Sequence, residues 1–304
     1  MIQAKLLEWF AQHGRDLPWR HTRDPYHIMV SEIMLQQTQV HRVVPKYHAF
    51  LELFPSLEAL ADAQTAEVIR AWTGLGYNRR AVNMQRAARA VLQEHGGQFP
   101  RDLAALLKLP GIGPYTAGAI ACFAFEQDVA FMDTNIRRVV QRLFGGPEAA
   151  ALAGEASLLA LAQAAVPPGQ GWAWNQAIME LGALICMSAT PACWRCPIQV
   201  HCRDYAARRA ADEQLFSGAA LPEPLRRVAE RREAPFAGSN RFYRGRAIEA
   251  LRGLAPGEAL PLPALGQAIK QDFDEDDMPW LRTLAEGLAR DGLLMLENEQ
   301  ARLP

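Results

Sequence analysis

Residues 109–121 read LPGIGPYTAGAIA, and the path of this stretch decides what kind of protein the chain forms. Gly111 and Gly113 permit a tight backbone course that leaves N–H groups pointing outward, and Pro114 opens a helix whose first turn adds free donors and a positive dipole end. Such a turn is suited to holding a phosphate. An isolated G-x-G is more often a plain connection between helices. Here the preceding DLAALLK and the following YTAGAIACFAF are apolar at helical spacing, so the stretch completes a helix-hairpin-helix. That unit suits gripping a DNA backbone without reading sequence.

Outward from the hairpin, apolar residues recur at i, i+3, i+4 in AKLLEWFAQH, YHIMVSEIMLQQ, VVPKYHAFLELF, RRAVNMQRAARAVLQEH, NIRRVVQRLF and NQAIMELGALICM, which predicts an all-α class up to the cysteines. The 304 residues, half of them hydrophobic, suffice for cores in two or three domains. No run of about 18 apolar residues appears, and MIQAKLLEWFAQHGRDLPWR lacks the apolar segment and cleavage site of a secretory signal. The expectation is an intracellular, cytoplasmic and nucleoid-associated protein, monomeric and without a membrane partner. A formal net charge of −1 gives no whole-chain argument for nucleic acid, so that case rests on local basic faces.

Two carboxylates and four cysteines carry the chemistry. Glu32 lies inside the apolar VSEIMLQQTQV, where an acid is costly unless it faces a cleft or has a partner; Gln36 is one turn further on, and Gln37 and Thr38 stand at the helix end. Asp133 in FMDTNIRRVV precedes a helix and suits its N-cap, a role compatible with facing a developing cation. Cys186, Cys193, Cys196 and Cys202 follow C-x6-C-x2-C-x5-C, with Pro191 and Pro197 setting turns between them. A reducing compartment disfavours disulfides. Four thiolates can hold zinc, but a single C-x2-C flanked by longer gaps better suits the spread corners of a [4Fe-4S] cubane. Cys122, among apolar residues, reads as core.

Taken in order, LPWR, DPY, SEIMLQQTQV, WTGLGY, LPGIGPYTAGAI, MDTNIRRV, NQAIMELGA and the four cysteines make the chain resemble the helix-hairpin-helix DNA glycosylases with an iron-sulfur cluster. More narrowly, it resembles the MutY-type adenine DNA glycosylases, which remove adenine mispaired with 8-oxoguanine or guanine. The likeness covers roughly the first two thirds of the chain. It implies a two-lobed fold: a cluster lobe from residues 1–20 and 127–205, holding a [4Fe-4S] loop, and a six-helix domain with the hairpin over 21–126. The implied partner is double-stranded DNA containing a mispaired or damaged base.

The resemblance also implies roles. Glu32 matches the catalytic acid, Asp133 the carboxylate that stabilises the sugar cation, and Tyr115 the position of a nucleophilic lysine in the related endonuclease III. Without that amine no Schiff base forms, so a monofunctional glycosylase is expected. Trp19, Arg20, Leu35 and Gln176 match the adenine pocket, although Trp19 and Leu35 suit an apolar core equally. Gln37 and Tyr77 match side chains that fill the vacated stack, and Thr38, Gly111 and Gly113 join them as DNA contacts. Arg79, Arg80, Arg86 and Arg89 are candidate phosphate contacts, with a solvated helix face the better reading for at least half of them, and Arg195 and Arg203 beside the cysteines can also meet phosphate.

Two departures stand out. Thr134 in MDTN is closer to endonuclease III than to most adenine glycosylases, and nothing after Tyr205 resembles the β-rich Nudix-like domain typical of the family. Residues 206–240 instead read as an Arg/Pro-rich linker, and 241–304 as a small winged-helix-like module that adds DNA affinity through Arg241, Arg244 and Arg246. Two other functions stay open on residues alone: a mismatch-specific thymine or uracil glycosylase, and a non-catalytic iron-sulfur DNA-binding protein.

Overall fold

The computed structural model of the chain describes residues 2–146, 154–216 and 236–304. Among them the helices are α1 (Ile2–His13), α2 (Pro25–Leu35), α3 (Val40–Leu53), α4 (Leu57–Asp62), α5 (Thr65–Ala71), α6 (Arg79–His95), α7 (Leu103–Leu106) and α8 (Pro114–Phe123). They continue with α9 (Thr134–Val140), α10 (Glu155–Ala165), α11 (Gly171–Leu184), α12 (Arg203–Phe216), α13 (Asn240–Arg252), α14 (Leu262–Ile269) and α15 (Met278–Arg290). The helical class expected from periodicity is the class observed. The chain divides into two compact units, 1–28 with 101–107 and 113–229, and 29–100 with 108–112 and 230–304.

The first unit is built on α11, which packs against α1 and α9. Its inward face, Trp174, Ile178 and Leu181, is buried. Gly182 lies where any side chain would collide with α9, its missing Cβ standing 2.8 Å from the Cβ of Asn135. Helix α9 begins on Asp133, whose carboxylate accepts from the Ile136 N–H, and runs into one π-turn at Gln141–Gly145.

In the second unit α4 and α5 pack on α6, whose buried face includes Val82, Met84, Ala87 and Val91. The C-terminal segment follows the order α13, β1 (Leu260–Pro261), α14, α15, β2 (Met295–Glu297), β3 (Gln300–Arg302). The strands form an antiparallel sheet ordered β1-β3-β2, with Ala301 opposite both Leu260 and Leu296. Asn298 and Glu299, with φ of 49° and 59°, make the left-handed two-residue turn that matches the twist of a hairpin. This is a winged-helix order.

The segment does not keep a core to itself. Ala247, Ile248, Leu251, Leu284 and Leu288 share one buried cluster with Ala66, Ile69 and Val82 of α5 and α6. Arg252 seals the junction, donating from Nη2 to the Ile69 carbonyl and to Asn78 Oδ1, both at 2.8 Å. The Ala66 N–H reaches the Pro304 carbonyl at 2.9 Å. The composition shift after Tyr205 thus marks a different texture rather than a separate body. Of the expected linker, the part up to Phe216 continues α12, and residues 217–235 lie outside the described residues.

Candidate active site

Helix α2 carries PYHIMVSEIML, and nearly every side chain from Ile28 to Met34 is buried, Glu32 among them with 2% exposure. An acid at such a place costs several kcal/mol unless its surroundings supply partners, so its presence is a choice of sequence and not an accident of patterning. Leu35 closes the helix half-buried, and the Thr38 N–H returns to its carbonyl at 3.2 Å. Between them Gln37 is exposed with φ of 57°.

A second loop of the same unit shows the same feature. Tyr77, 51% exposed, has φ of 46°. The left-handed region costs a residue with a Cβ about 1–2 kcal/mol, and such strain persists only where neighbours enforce it. The enforcer is Arg80. Its Nη1 donates to the carbonyls of Ile33 (2.7 Å) and Gln36 (2.5 Å), and its Nη2 to those of Leu75 (3.0 Å) and Gly76 (3.2 Å). One guanidinium therefore ties the Gln37 turn to the Tyr77 turn. Burial brings Arg80 down to about 10, against the opposing charge of Tyr77. The Trp72 indole N–H adds a bond to the Gly76 carbonyl at 3.0 Å.

Two of the four α6 arginines offered as candidate phosphate contacts are engaged inside the protein. Arg80 spends its donors inside the protein, and Arg89 does likewise, with Nε on the Ala61 carbonyl at 2.7 Å and Nη2 on that of Ala63 at 3.2 Å. Arg79 pairs with Asp291 at 3.3 Å while staying 62% exposed. Near the cysteines, Arg195 likewise donates to the Leu184 carbonyl at 2.6 Å.

In the first unit Asp133 accepts on both oxygens, from the Ile136 N–H (2.6 Å) and from Asn135 Nδ2 (3.0 Å). Arg138 then orients Asn135, donating to its Oδ1 at 2.7 Å. Tyr115, in the first turn of α8, meets Phe131 edge-on with ring centroids 5.4 Å apart. Arg20 and Gln176, expected together at one pocket, do meet: Arg20 Nε donates to Gln176 Oε1 at 2.8 Å.

What the sequence did not single out is their anchor, Glu180. It is 1% exposed and accepts from Arg15 Nε at 2.6 Å and Arg20 Nη2 at 2.8 Å. Burial alone would raise its pKa, but the Arg15 and Arg20 hydrogen bonds outweigh that and hold it below the usual carboxylate range. The signal was present: an acid four residues after Gln176 in the otherwise apolar NQAIMELGA. Trp19, in a single 3-10 turn at Pro18–Arg20, is 5% exposed and packs as a core side chain.

The hairpin turn shows two different glycines. Gly111 has φ of 76°, and a Cβ there would stand 2.6 Å from that of Asn83, so both conformation and packing demand glycine. Gly113 is extended at the start of α8, and an added Cβ would meet nothing within 4 Å. Neither backbone nor neighbours require the second glycine.

All four cysteines of the expected cluster loop are half-buried, whereas Cys122 is fully buried and receives the Asn175 Nδ2 at 3.3 Å, as a core residue. Burial pushes the Cys196 thiol up to about 11, and Cys186, Cys202 and Cys193 add to that push, so each of the three lies within electrostatic reach of Cys196. Cys193 and Cys202 are also raised, chiefly by burial. Arg142 Nη1 stands 3.4 Å from Cys186 Sγ and 2.8 Å from the Met187 carbonyl. Soft donors, mutual repulsion and an adjacent cation fit a site whose thiolates are held by a metal centre. Among the described residues no group of three or more His, Cys, Asp or Glu is arranged around a single ion.

Residues 30–162 match the HhH-GPD superfamily of base excision DNA repair proteins. An adenine DNA glycosylase of Mycolicibacterium smegmatis is 40% identical over 252 residues, which cover 82% of this chain and 80% of that protein. This chain belongs to the adenine DNA glycosylase family. The Homo sapiens adenine DNA glycosylase is 41% identical over 231 residues, 72% of this chain but 42% of the human protein. A solved thermostable thymine-DNA glycosylase superposes with a TM-score of 0.63 at 34% identity, covering 67% of this chain and 94% of that one. As a member of the adenine DNA glycosylase family, the chain is a DNA glycosylase of base excision repair. No helix among its described residues is long and apolar enough to cross a membrane.

Proposed function

We propose that this chain hydrolyses the N-glycosidic bond of adenine mispaired with 8-oxoguanine or guanine, without cutting the strand, and that Glu32 is its general acid. The observation that carries the reading is Glu32 itself, a carboxyl 2% exposed in the middle of the apolar α2 of an adenine glycosylase-family chain. Burial favours the neutral, protonated form of a carboxyl, which is the form a general acid must start from. Glu32 donates to N7 of adenine, the bond from C1′ to N9 breaks, and its electrons stay with the departing base. The sugar left behind carries oxocarbenium character. Asp133, held by the Ile136 N–H and Asn135, supplies the compensating charge. Water then adds at C1′ and loses a proton, giving free adenine and an abasic site.

Tyr115 occupies the lysine position of the strand-cleaving relatives, and a phenol forms no Schiff base, so the backbone stays intact. Duplex DNA with a mispaired base is the substrate. Gln37 and Tyr77, exposed on enforced left-handed turns, serve to fill the space left by the everted nucleotide, with Thr38 beside them. The open space at Gly113, at the N-terminus of α8, suits a backbone phosphate. Arg20 and Gln176 form a preorganised polar pair for the adenine edge. Cys186, Cys193, Cys196 and Cys202 would hold a [4Fe-4S] cluster, which would fix the loop.

The thymine-glycosylase likeness makes the substrate panel the test. Duplexes containing A opposite 8-oxoguanine, A:G, T:G and U:G are incubated with the protein, and abasic sites are scored by alkaline cleavage. Adenine release from the first two, with no cleavage before alkali, is expected. Pyrimidine release alone assigns the other activity, and no release assigns a non-catalytic DNA-binding protein.

A further inference from the structure

Beside Tyr77 the second unit contains a cleft of about 630 Å³. It lies between the Tyr77 loop with the start of α6 and the C-terminal helices, its floor formed by Ile248, Leu288 and Leu293. Four arginines and one acid, Asp291, are among its lining residues. Asp291 is already engaged by Arg79 and Arg244, and Arg80 serves the clamp. Arg246, proposed from sequence as a DNA contact, donates to the Ala268 carbonyl at 3.0 Å. Arg241 differs. It is exposed, and among the described residues no carboxylate pairs with it. Its guanidinium sits 4.9 Å over the Phe236 ring and 5.9 Å over the Tyr77 ring, with Nη1 3.4 Å from the Tyr77 hydroxyl.

One residue of the cleft has no explanation in the fold. Gly245 stands in the interior of α13, where glycine costs about 1 kcal/mol relative to alanine. Its φ is not left-handed, and an added Cβ would meet nothing within 4 Å, so neither conformation nor packing calls for it. What its missing side chain does is leave the cleft open.

We propose that this cleft binds DNA, seating a nucleotide next to the Tyr77 step with Arg241 on its phosphate and the aromatic and apolar lining against the base. The C-terminal segment would thereby extend the duplex-binding surface in place of a β-rich domain. The inference rests on the DNA glycosylase reading for its choice of occupant. That choice also follows from the lining: an excess of arginine around aromatic faces matches the anionic backbone and flat bases of nucleic acid.

The test measures affinity, not base removal, so that it stands or falls apart from the catalytic assignment. The full chain is titrated against a fluorescent matched duplex by anisotropy, between about 50 and 200 mM salt. Arg241→Ala is expected to weaken binding several-fold and to reduce the slope of log K against log salt by about one. Gly245→Trp, which plugs the cleft, is expected to weaken binding about tenfold, a loss of about 1.4 kcal/mol. Gly245→Ala should bind like the parent. Thermal melting of each variant separates loss of binding from loss of fold. An unchanged salt slope in Arg241→Ala, or parental affinity in a folded Gly245→Trp, overturns the proposal. Either result would assign the cleft to another occupant, such as an apolar peptide or a second copy of the chain.

Discussion

The Tyr77 loop and the cysteine loop both hold an aromatic side chain out on irregular backbone, Tyr77 at 51% exposure and Trp194 at 82%, yet they are ordered by opposite means. The first stands on buried Trp72 and Leu75 and is tied by the four carbonyl bonds of Arg80. The second has two 3-10 turns, Cys193–Arg195 and Gln199–His201, that bury no residue, with Ile198 alone between them reaching the core. A loop can store strain when a core and an internal cation support it. One without a core needs another source of order, and the proposed cluster would supply it.

The largest effect that would sharpen this contrast would follow loss of the proposed [4Fe-4S] cluster. Cys196→Ser, or removal of iron by oxidation and chelation, should abolish an absorbance band at about 410 nm and expose residues 186–202 to protease. Hydrogen exchange in the Tyr77 loop should stay as it was. A colourless, zinc-containing preparation would contradict the assignment of the group.

Next in size is Glu180, the acid that anchors Arg15 and Arg20. Removing one partner of a buried ion pair costs about 3–5 kcal/mol, so Glu180→Ala should lower the urea midpoint markedly. Because the folded pKa of Glu180 lies below its unfolded value, its contribution is present above the usual carboxylate range and is lost as pH falls through that depressed value. Urea titrations from neutral to acid pH should show this acid limb in the parent and a flatter one in Glu180→Gln.

Arg80→Met should cost about 2–4 kcal/mol, since buried carbonyls on two turns lose their donor. It should also raise exchange rates at Gln37 and Tyr77 together. Loosening of only one turn would break the view that one guanidinium couples both. Smallest is Tyr77→Gly, which removes the left-handed penalty: stability should hold or rise by about 1 kcal/mol while base removal slows. Activity equal to the parent would show that the strained tyrosine has no part in the reaction.

Much of this was legible in the sequence where one residue type has one local consequence. Gly111 announced a turn that the structure makes left-handed, and Asp133 announced a helix start. What stayed hidden depends on partners distant in the chain. Nothing in GLGYNRR tells that the second arginine turns inward to carbonyls 44 and 47 residues away while the first stays exposed. Likewise the Arg/Pro-rich texture after Tyr205 suggested a detachable module. The apolar face of α13 instead shares a core with α5 and α6, which no local pattern encodes. Glu180 was visible as an oddity in an apolar helix, but its two arginines lie 160 and 165 residues upstream.

The acid role of Glu32 is tested by single-turnover release of free adenine from a duplex with A opposite 8-oxoguanine, comparing the parent with Glu32→Gln at saturating protein. The amide keeps the size of the side chain and cannot donate the proton, so a loss of at least about 10²-fold in rate with duplex affinity retained is the predicted result. Release at the parental rate by a folded Glu32→Gln protein would contradict the account.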